Sequence, residues 1–238
     1  MKNETKSDRP SFAQLGVLAG IIMEFLAVMF NAPQLKYWLE HKTELKKRLR
    51  EVFKIVDEYV DIRIEWATFY KKNFDWEVDF SHVIIPTMPT IGKWRLLFIP
   101  KGMRPQLAFE VCTKLFKTSK YYDNLDDAIG KNIRTTGEHY AVWVRDEVEP
   151  DSETLGKSTR QADPDMKVGI TLLEGIIFEI KYFTETGKHL NIKGVTFCSG
   201  SRSSDGDVPN VYWSDDGFEV SWFDLGDSYS NFGIRSAV

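Results

Sequence analysis

The chain has 238 residues, 42% of them apolar and 13% aromatic, enough to bury a sizeable core and unlike a disordered or fibrous sequence. Its formal net charge of -4 offers no general field for gathering a polyanion, so nucleic acid is not an expected partner. The two cysteines, Cys112 and Cys198, are too few for a disulfide framework and lack a C-x-x-C spacing, so two buried thiols are expected.

The first element is an apolar run from Leu15 to Phe30 that carries Gly16-x-x-x-Gly20, a spacing that lets membrane helices approach closely. Glu24 near its middle would cost about 2.5 to 3.5 kcal/mol on insertion, and the run is short of the roughly twenty residues of a span. A soluble helix from about Phe12 to Phe30 is therefore expected, opened by Ser11 and Gln14 in capping-box spacing. No small-x-small cleavage site follows, which argues against a secretory signal and for the cytoplasm. Pro33 suits the start of a second helix, in which Leu35, Trp38, Leu39, Leu45, Leu49, Val52, Phe53 and Val56 recur at helical steps. Its Lys42, Lys46, Lys47, Arg48 and Arg50 interleave with Glu40, Glu44 and Glu51, which reads as a solvated face. The apolar face of this hairpin is free to pack on the rest of the chain or on a second copy, giving a homo-oligomer.

Between residues 55 and 70 the pattern leaves two states open. Val60, Ile62, Ile64 and Trp66 alternate at strand period, whereas Val56, Val60, Ile64 and Ala67 fit a continuing helix. The aromatic, Pro-punctuated stretch from Asn73 to Thr90 then separates a helical region, 1–80, from a C-terminal domain, 81–238. Trp94–Ile99 reads as a buried strand stopped by Pro100-Lys101-Gly102, and Pro105–Phe116 as a helix with Leu107, Ala108, Val111, Cys112 and Leu115 inward. A further strand is expected at Tyr140–Val144. Residues 146–168, polar and containing Pro150 and Pro164, predict a mobile loop. Its Glu147, Glu149, Asp151 and Glu153 lack the glycine and closing glutamate of a calcium loop, so a solvated loop without metal or other cofactor is expected. Thr171 and Glu174 form a capping box ahead of Leu172, Leu173, Ile176, Ile177, Ile180 and Phe183, an apolar face that ends at Gly187.

No catalytic constellation stands out. His41, His82, His139 and His189 lack an evident nucleophile, and Cys198 lies among apolar neighbours, Val195 and Phe197, that do not favour a thiolate. Gly200–Gly206 has no phosphate-cradle pattern. The last forty residues instead alternate short β-type runs with turns of Ser, Asp, Gly and Asn, the layout of a rigid sheet presenting adaptable loops. The expected anchors are Tyr212, Trp213, Trp222 and Tyr229, with Arg202, Asp205, Asp207, Asn210, Asp215, Asp224 and Asn231 as polar contacts. Alternating strand residues must also fill a core, so roughly half of these aromatics are expected inside.

The order of a Thr-x-x-Glu helix start, a strand, Gly200-Ser201-Arg202, a Trp-bearing hairpin around Gly217 and a terminal Asn231-Phe232-Gly233-Ile234-Arg235 resembles the C-type lectin-like fold. The resemblance spans about Gly169 to Val238 and is nearest to the formylglycine-generating type and the variable proteins of diversity-generating retroelements, which end in an Asn-x-Gly-Phe-Arg-like strand. It implies a final strand that pairs near the domain start, and loops Ser199–Asn210 and Asp224–Asn231 that converge on one face. The segments Trp94–Gly102 and Gly187–Leu190 also resemble those of bacterial proteins of unassigned function. The chain departs from the family where chemistry is concerned. The reactive cysteine pair is missing, so oxidase activity is not carried over. Val208-Pro209-Asn210 and Trp213-Ser214-Asp215 are too close together, and lack the first carboxylate, for lectin-type calcium binding.

The fold class expected is α+β: an N-terminal helical hairpin, then a C-type lectin-like domain with a small antiparallel sheet. The function expected is a non-catalytic recognition module for a protein or glycan ligand. Alternatives are an enzyme using Cys198, His189 and Arg202, which predicts rapid alkylation of Cys198, and a membrane-associated protein anchored by residues 15–30.

Overall fold

The Thr171 hydroxyl accepts the Glu174 N–H while the Glu174 carboxylate accepts the Thr171 N–H, a reciprocal cap that starts a helix over Leu172–Thr186. Gly187, at φ +66, ends it in the left-handed conformation that a side chain resists. In the computed structural model, which describes residues 36–37, 40–44 and 59–238, this helix is buried from Leu172 through Lys181. An apolar stripe alone would not allow that, because Glu174, Glu179 and Lys181 go inside as well. Each has an ionic or hydrogen-bonded partner: Arg134 for Glu174, His189 for Glu179, and Glu65 and Glu185 for Lys181.

The chain divides after Glu58 into two units. In the first, only residues 36–37 and 40–44 are described; there the His41 N–H donates to the Tyr37 carbonyl. The rest of the expected hairpin, including the apolar run 15–30, lies outside the described residues. The second unit, Tyr59–Val238, is α+β. Its elements are α1 (Val60–Phe74), β1 (Trp94–Ile99), α2 (Pro105–Leu115), β2 (Thr118–Lys120), α3 (Leu125–Ala128), β3 (Ile129–Asn132), β4 (Tyr140–Arg145), a 3-10 turn (Ser152–Thr154), α4 (Thr159–Ala162), α5 (Leu172–Thr186), β5 (Val195–Phe197), β6 (Ser201–Ser203), β7 (Val208–Ser214), β8 (Gly217–Phe223) and β9 (Phe232–Ile234).

Helix wins over strand at α1 because Trp66, Phe69 and Tyr70, three and four residues apart, reach the core together, whereas Ile64 is 60% exposed. The Trp66 indole N–H donates to the Leu96 carbonyl and the Tyr70 hydroxyl to the Phe98 carbonyl, both on β1. Helix α1 thus packs with the core of the second unit although it precedes the boundary read near residue 80.

Strands β1 and β4 pair antiparallel from Trp94↔Arg145 to Ile99↔Tyr140, and Ala237 bridges Val144 on the open side of β4. The main sheet has the order β2-β8-β7-β5-β9. It is mixed rather than antiparallel, since β2 runs parallel to β8 and β5 parallel to β9. For β9 the cause is the segment 224–231, which leaves Phe223 opposite Val208 and crosses to Phe232 opposite Val195, so that β9 enters in the direction of β5. One face of the sheet, with Val211, Phe218 and Val220, joins the main core with α5. The other carries a smaller cluster of Phe197, Val208 and Ile234, packed with Ala162 of α4 and with Leu225 and Phe232.

Residues 146–168, expected as a mobile loop, are built into the fold. Asp163 is buried and accepts the N–H groups of Lys167, Val168 and Gly169 and the hydroxyl of Ser199 at 2.6 Å. Asp151 accepts the Ser236 N–H, and its own N–H donates to the Ile234 carbonyl. The buried Arg235 guanidinium donates to the carbonyls of Arg145, Glu147, Val148 and Glu149. Polar residues that look like solvent loop in the sequence here satisfy buried backbone groups.

Candidate functional site

The β7–β8 hairpin fixes where each expected contact residue falls, because its register runs from Val208↔Phe223 at one end to Ser214↔Gly217 at the other. At the first end the turn after β6 is closed by the Asp207 N–H on the Ser203 hydroxyl, 3.0 Å, and by the Ser203 N–H on the Asp207 carbonyl. Asp205 there is exposed and Asp207 half-buried. Asp224, exposed, follows Phe223 at the same end, and its carboxylate accepts the Gly226 N–H at 2.7 Å while Asp227 accepts the Asp224 N–H at 3.2 Å. Among the described residues, Asp205, Asp207, Asp224 and Asp227 take part in no ion pair. Arg160, at the border of this face, donates its backbone N–H to the Leu225 carbonyl.

The crossing segment then lifts Tyr229 into solvent. Tyr229 is 51% exposed, yet its ring stands on Phe232, 4.6 Å between centroids, and on Phe223 at 5.9 Å. Both of those contact Phe197, so the exposed ring has a rigid aromatic base. Asn231 lies beyond it at the far end, where its amide donates to the Lys193 carbonyl at 3.2 Å.

Asp215 sits in the hairpin turn at that far end. Tyr212 and Trp213 are half-buried beside it and already engaged. The Tyr212 hydroxyl donates to Glu219 at 2.7 Å, and burial together with that carboxylate pushes its pKa up to about 12. Trp213 stacks on the His189 ring at 3.4 Å. Arg202, Asn210 and Trp222, expected as contacts, are interior at 7%, 0% and 9% exposure. Arg202 spends one guanidinium nitrogen on the carbonyls of Ser199 and Ser201, and Trp222 packs edge-on against Tyr122. Asn210 and Trp222 are inside because β7 and β8 are inner strands of a sheet covered on both faces, so neither parity of the alternation reaches solvent there, whereas Arg202 stands on β6, paired with β3 in a separate two-stranded sheet, and turns to main-chain carbonyls. The expected set therefore splits into one acidic and aromatic end (Asp205, Asp207, Asp224, Tyr229), a far end (Tyr212, Trp213, Asp215, Asn231) and a buried middle. Asp227 belongs to the first group and was legible only as the close of an Asp-x-Gly-Asp turn.

The residues of the catalytic alternative have separate partners. Cys198 is fully buried, and burial with nearby Glu174 pushes its thiol well above the ordinary range. His189 is bonded through Nδ1 to Glu179 at 2.7 Å and lies between Phe183 and Trp213. Arg202 faces carbonyls. Among the described residues, no three His, Cys, Asp or Glu side chains converge as a metal-ligand set, and no helix is long and apolar enough to cross a membrane. Comparison of the chain with protein-family models, curated proteins and solved structures finds no match to any of them.

Proposed function

We propose that the chain is a non-catalytic recognition module on a C-type lectin-like scaffold, and that it holds a basic segment of a protein partner on the face formed by Asp205, Asp207, Asp224, Asp227 and Tyr229. The observation that carries this reading is Tyr229, half exposed on a fixed aromatic base in the same crossing segment as Asp224 and Asp227, which take part in no ion pair among the described residues. A half-exposed ring of this kind supplies contact area at low entropic cost and attracts Lys or Arg over its face, while the aspartates steer the encounter. The scaffold assignment draws its support from the closing strand, where β9 pairs with β5 and Ala237 with Val144.

The test is a panel of basic, neutral and acidic peptides together with a glycan array, read with wild type, Tyr229→Ala and Asp224→Asn/Asp227→Asn. Basic peptides should bind, with affinity falling as salt rises, and Tyr229→Ala should weaken them about tenfold. Equal binding of basic and neutral peptides, or binding confined to glycans, would sink the reading.

A further inference from the structure

A second feature stands apart from that face. Because Arg235 draws the carbonyls of Arg145, Glu147, Val148 and Glu149 inward, the side chains of this acidic stretch turn outward around a cleft of about 670 Å³. A volume of that order suits a small organic ligand. The cleft's charges are unequally matched. Glu149 is occupied by the backbone N–H groups of Lys193 and Gly194. Arg145 faces two carboxylates at once: its Nη2 donates to Glu153 at 2.6 Å, and its Nε stands 3.9 Å from Asp151, beyond hydrogen-bond reach. Asp151 is 2% exposed; one of its oxygens accepts the Ser236 N–H, and the other has no hydrogen-bond partner. Glu147, exposed at the mouth, has no ion pair among the described residues. Even with Lys93 counted, four carboxylates oppose two cations in this lining.

A buried carboxylate oxygen without a donor is a standing cost that a bound cation would relieve. Burial accordingly holds Asp151 above the usual carboxylate range. Since among the described residues no three carboxylates converge on a point, an extended cation fits the site better than a compact metal ion. Val148, Pro150 and Leu155 give the same lining an apolar part. Methylene groups can lie there while ammonium groups reach separate carboxylates.

We propose that this cleft binds an aliphatic polyamine, with Glu147 and Glu153 receiving its ammonium groups at the mouth and Asp151, one oxygen of which lacks a hydrogen-bond donor, adding negative charge beneath them. This inference does not rest on the recognition face around Tyr229.

Isothermal titration with spermidine tests it, using wild type, Glu147→Gln, Asp151→Asn and, as a control on the other face, Asp224→Asn. A single saturable site is expected. Glu147→Gln should weaken it about threefold, as an exposed charge would, and Asp151→Asn about tenfold, as a desolvated one would. Asp224→Asn and a neutral diol of similar length should leave the titration unchanged and unsaturated, respectively. Asn keeps an oxygen for the Ser236 N–H, and should Asp151→Asn still fail to fold, the exposed Glu147→Gln decides alone. A pentalysine peptide carries the same alkylammonium group, and spermidine should bind more tightly than it does. No saturation at millimolar spermidine, affinity unchanged in Glu147→Gln, or pentalysine binding without spermidine would each overturn the proposal.

Discussion

Replacing Arg235 by Met is the sharpest test of how the C-terminal segment is held. The guanidinium donates to four main-chain carbonyls, at 2.9 Å (Arg145), 2.6 Å (Glu147), 3.2 Å (Val148) and 3.1 Å (Glu149), and to the Asn191 side chain at 3.1 Å. It also lies 5.2 Å from the Phe178 ring centre and is 1% exposed. Burial lowers its pKa to about 10 against the raising effect of Asp151, so it stays charged at neutral pH. Met preserves most of the volume over Phe178 and removes every donor. The Val148 carbonyl keeps the Asn191 N–H at 2.8 Å, and each other carbonyl left without a partner costs about 1 to 3 kcal/mol where water cannot reach it. Water will enter at the exposed side of the 145–149 stretch and recover part of that, so the net loss expected is about 4 kcal/mol. Urea unfolding followed by tryptophan fluorescence should then show the midpoint about 2 M lower at unchanged slope, for a slope near 2 kcal/mol/M. Arg235→Lys, with one ammonium for five acceptors, should fall between the two. A midpoint for Arg235→Met within about 0.5 M of wild type would mean that these carbonyls do not depend on the guanidinium.

Three further outcomes follow from the same interior. Cys112 and Cys198 are both fully buried with thiols pushed up chiefly by burial, so neither should react with a disulfide reagent at pH 8 until urea is added; fast labelling of native Cys198 would restore the nucleophile alternative. Burial alone would raise Glu174, but the charge and two hydrogen bonds of Arg134, at 2.6 and 2.7 Å, hold it below the ordinary value. Its stabilisation is therefore present above the unfolded-state pKa and lost as pH falls through the lower folded value. Arg134→Met should move the acid-unfolding midpoint to higher pH, and an unmoved midpoint would refute the pairing. Asn210 is fully buried with neither side-chain polar atom partnered, so Asn210→Leu should be neutral or stabilising by up to about 1 kcal/mol; a drop in thermal midpoint matching a loss above about 2 kcal/mol would show that its amide is bonded in solution.

Elements whose signals are local were legible in the sequence. Helix α5 carries both of its ends within seventeen residues, Thr171 with Glu174 at the start and Gly187 at the stop, and β1 ends where Pro100 and Gly102 end it. Helix α1 was not, because both periods fit its residues and the choice falls to the carbonyls of Leu96 and Phe98, 30 and 28 residues downstream. The segment 146–168 misled for a related reason. Composition reports how little apolar surface a stretch can bury, and says nothing of acceptors that meet distant donors, as Asp163 meets Ser199 and Asp151 meets Ser236.

The candidate site shows the same limit from the other side. Asp205, Asp207 and Asp224 were read as loop residues; Asp205 lies in the turn after β6, Asp207 just ahead of β7 and Asp224 just after β8. Facing is another matter, since period two separates the faces of a strand without saying that both are covered. Asn210 and Trp222 stand on opposite faces of one hairpin and both are inside, whereas Tyr229 reaches solvent because the crossing segment that carries it is not a strand. Arg235, legible only as the last residue of a family-like motif, does its work inside. By tying down 145–149 it fixes where Glu147 and Asp151 stand, so an intact C-terminal segment becomes a condition for the acidic cleft. Arg235→Met should accordingly weaken spermidine binding even in the fraction that stays folded, while leaving the Tyr229 face on its own aromatic base.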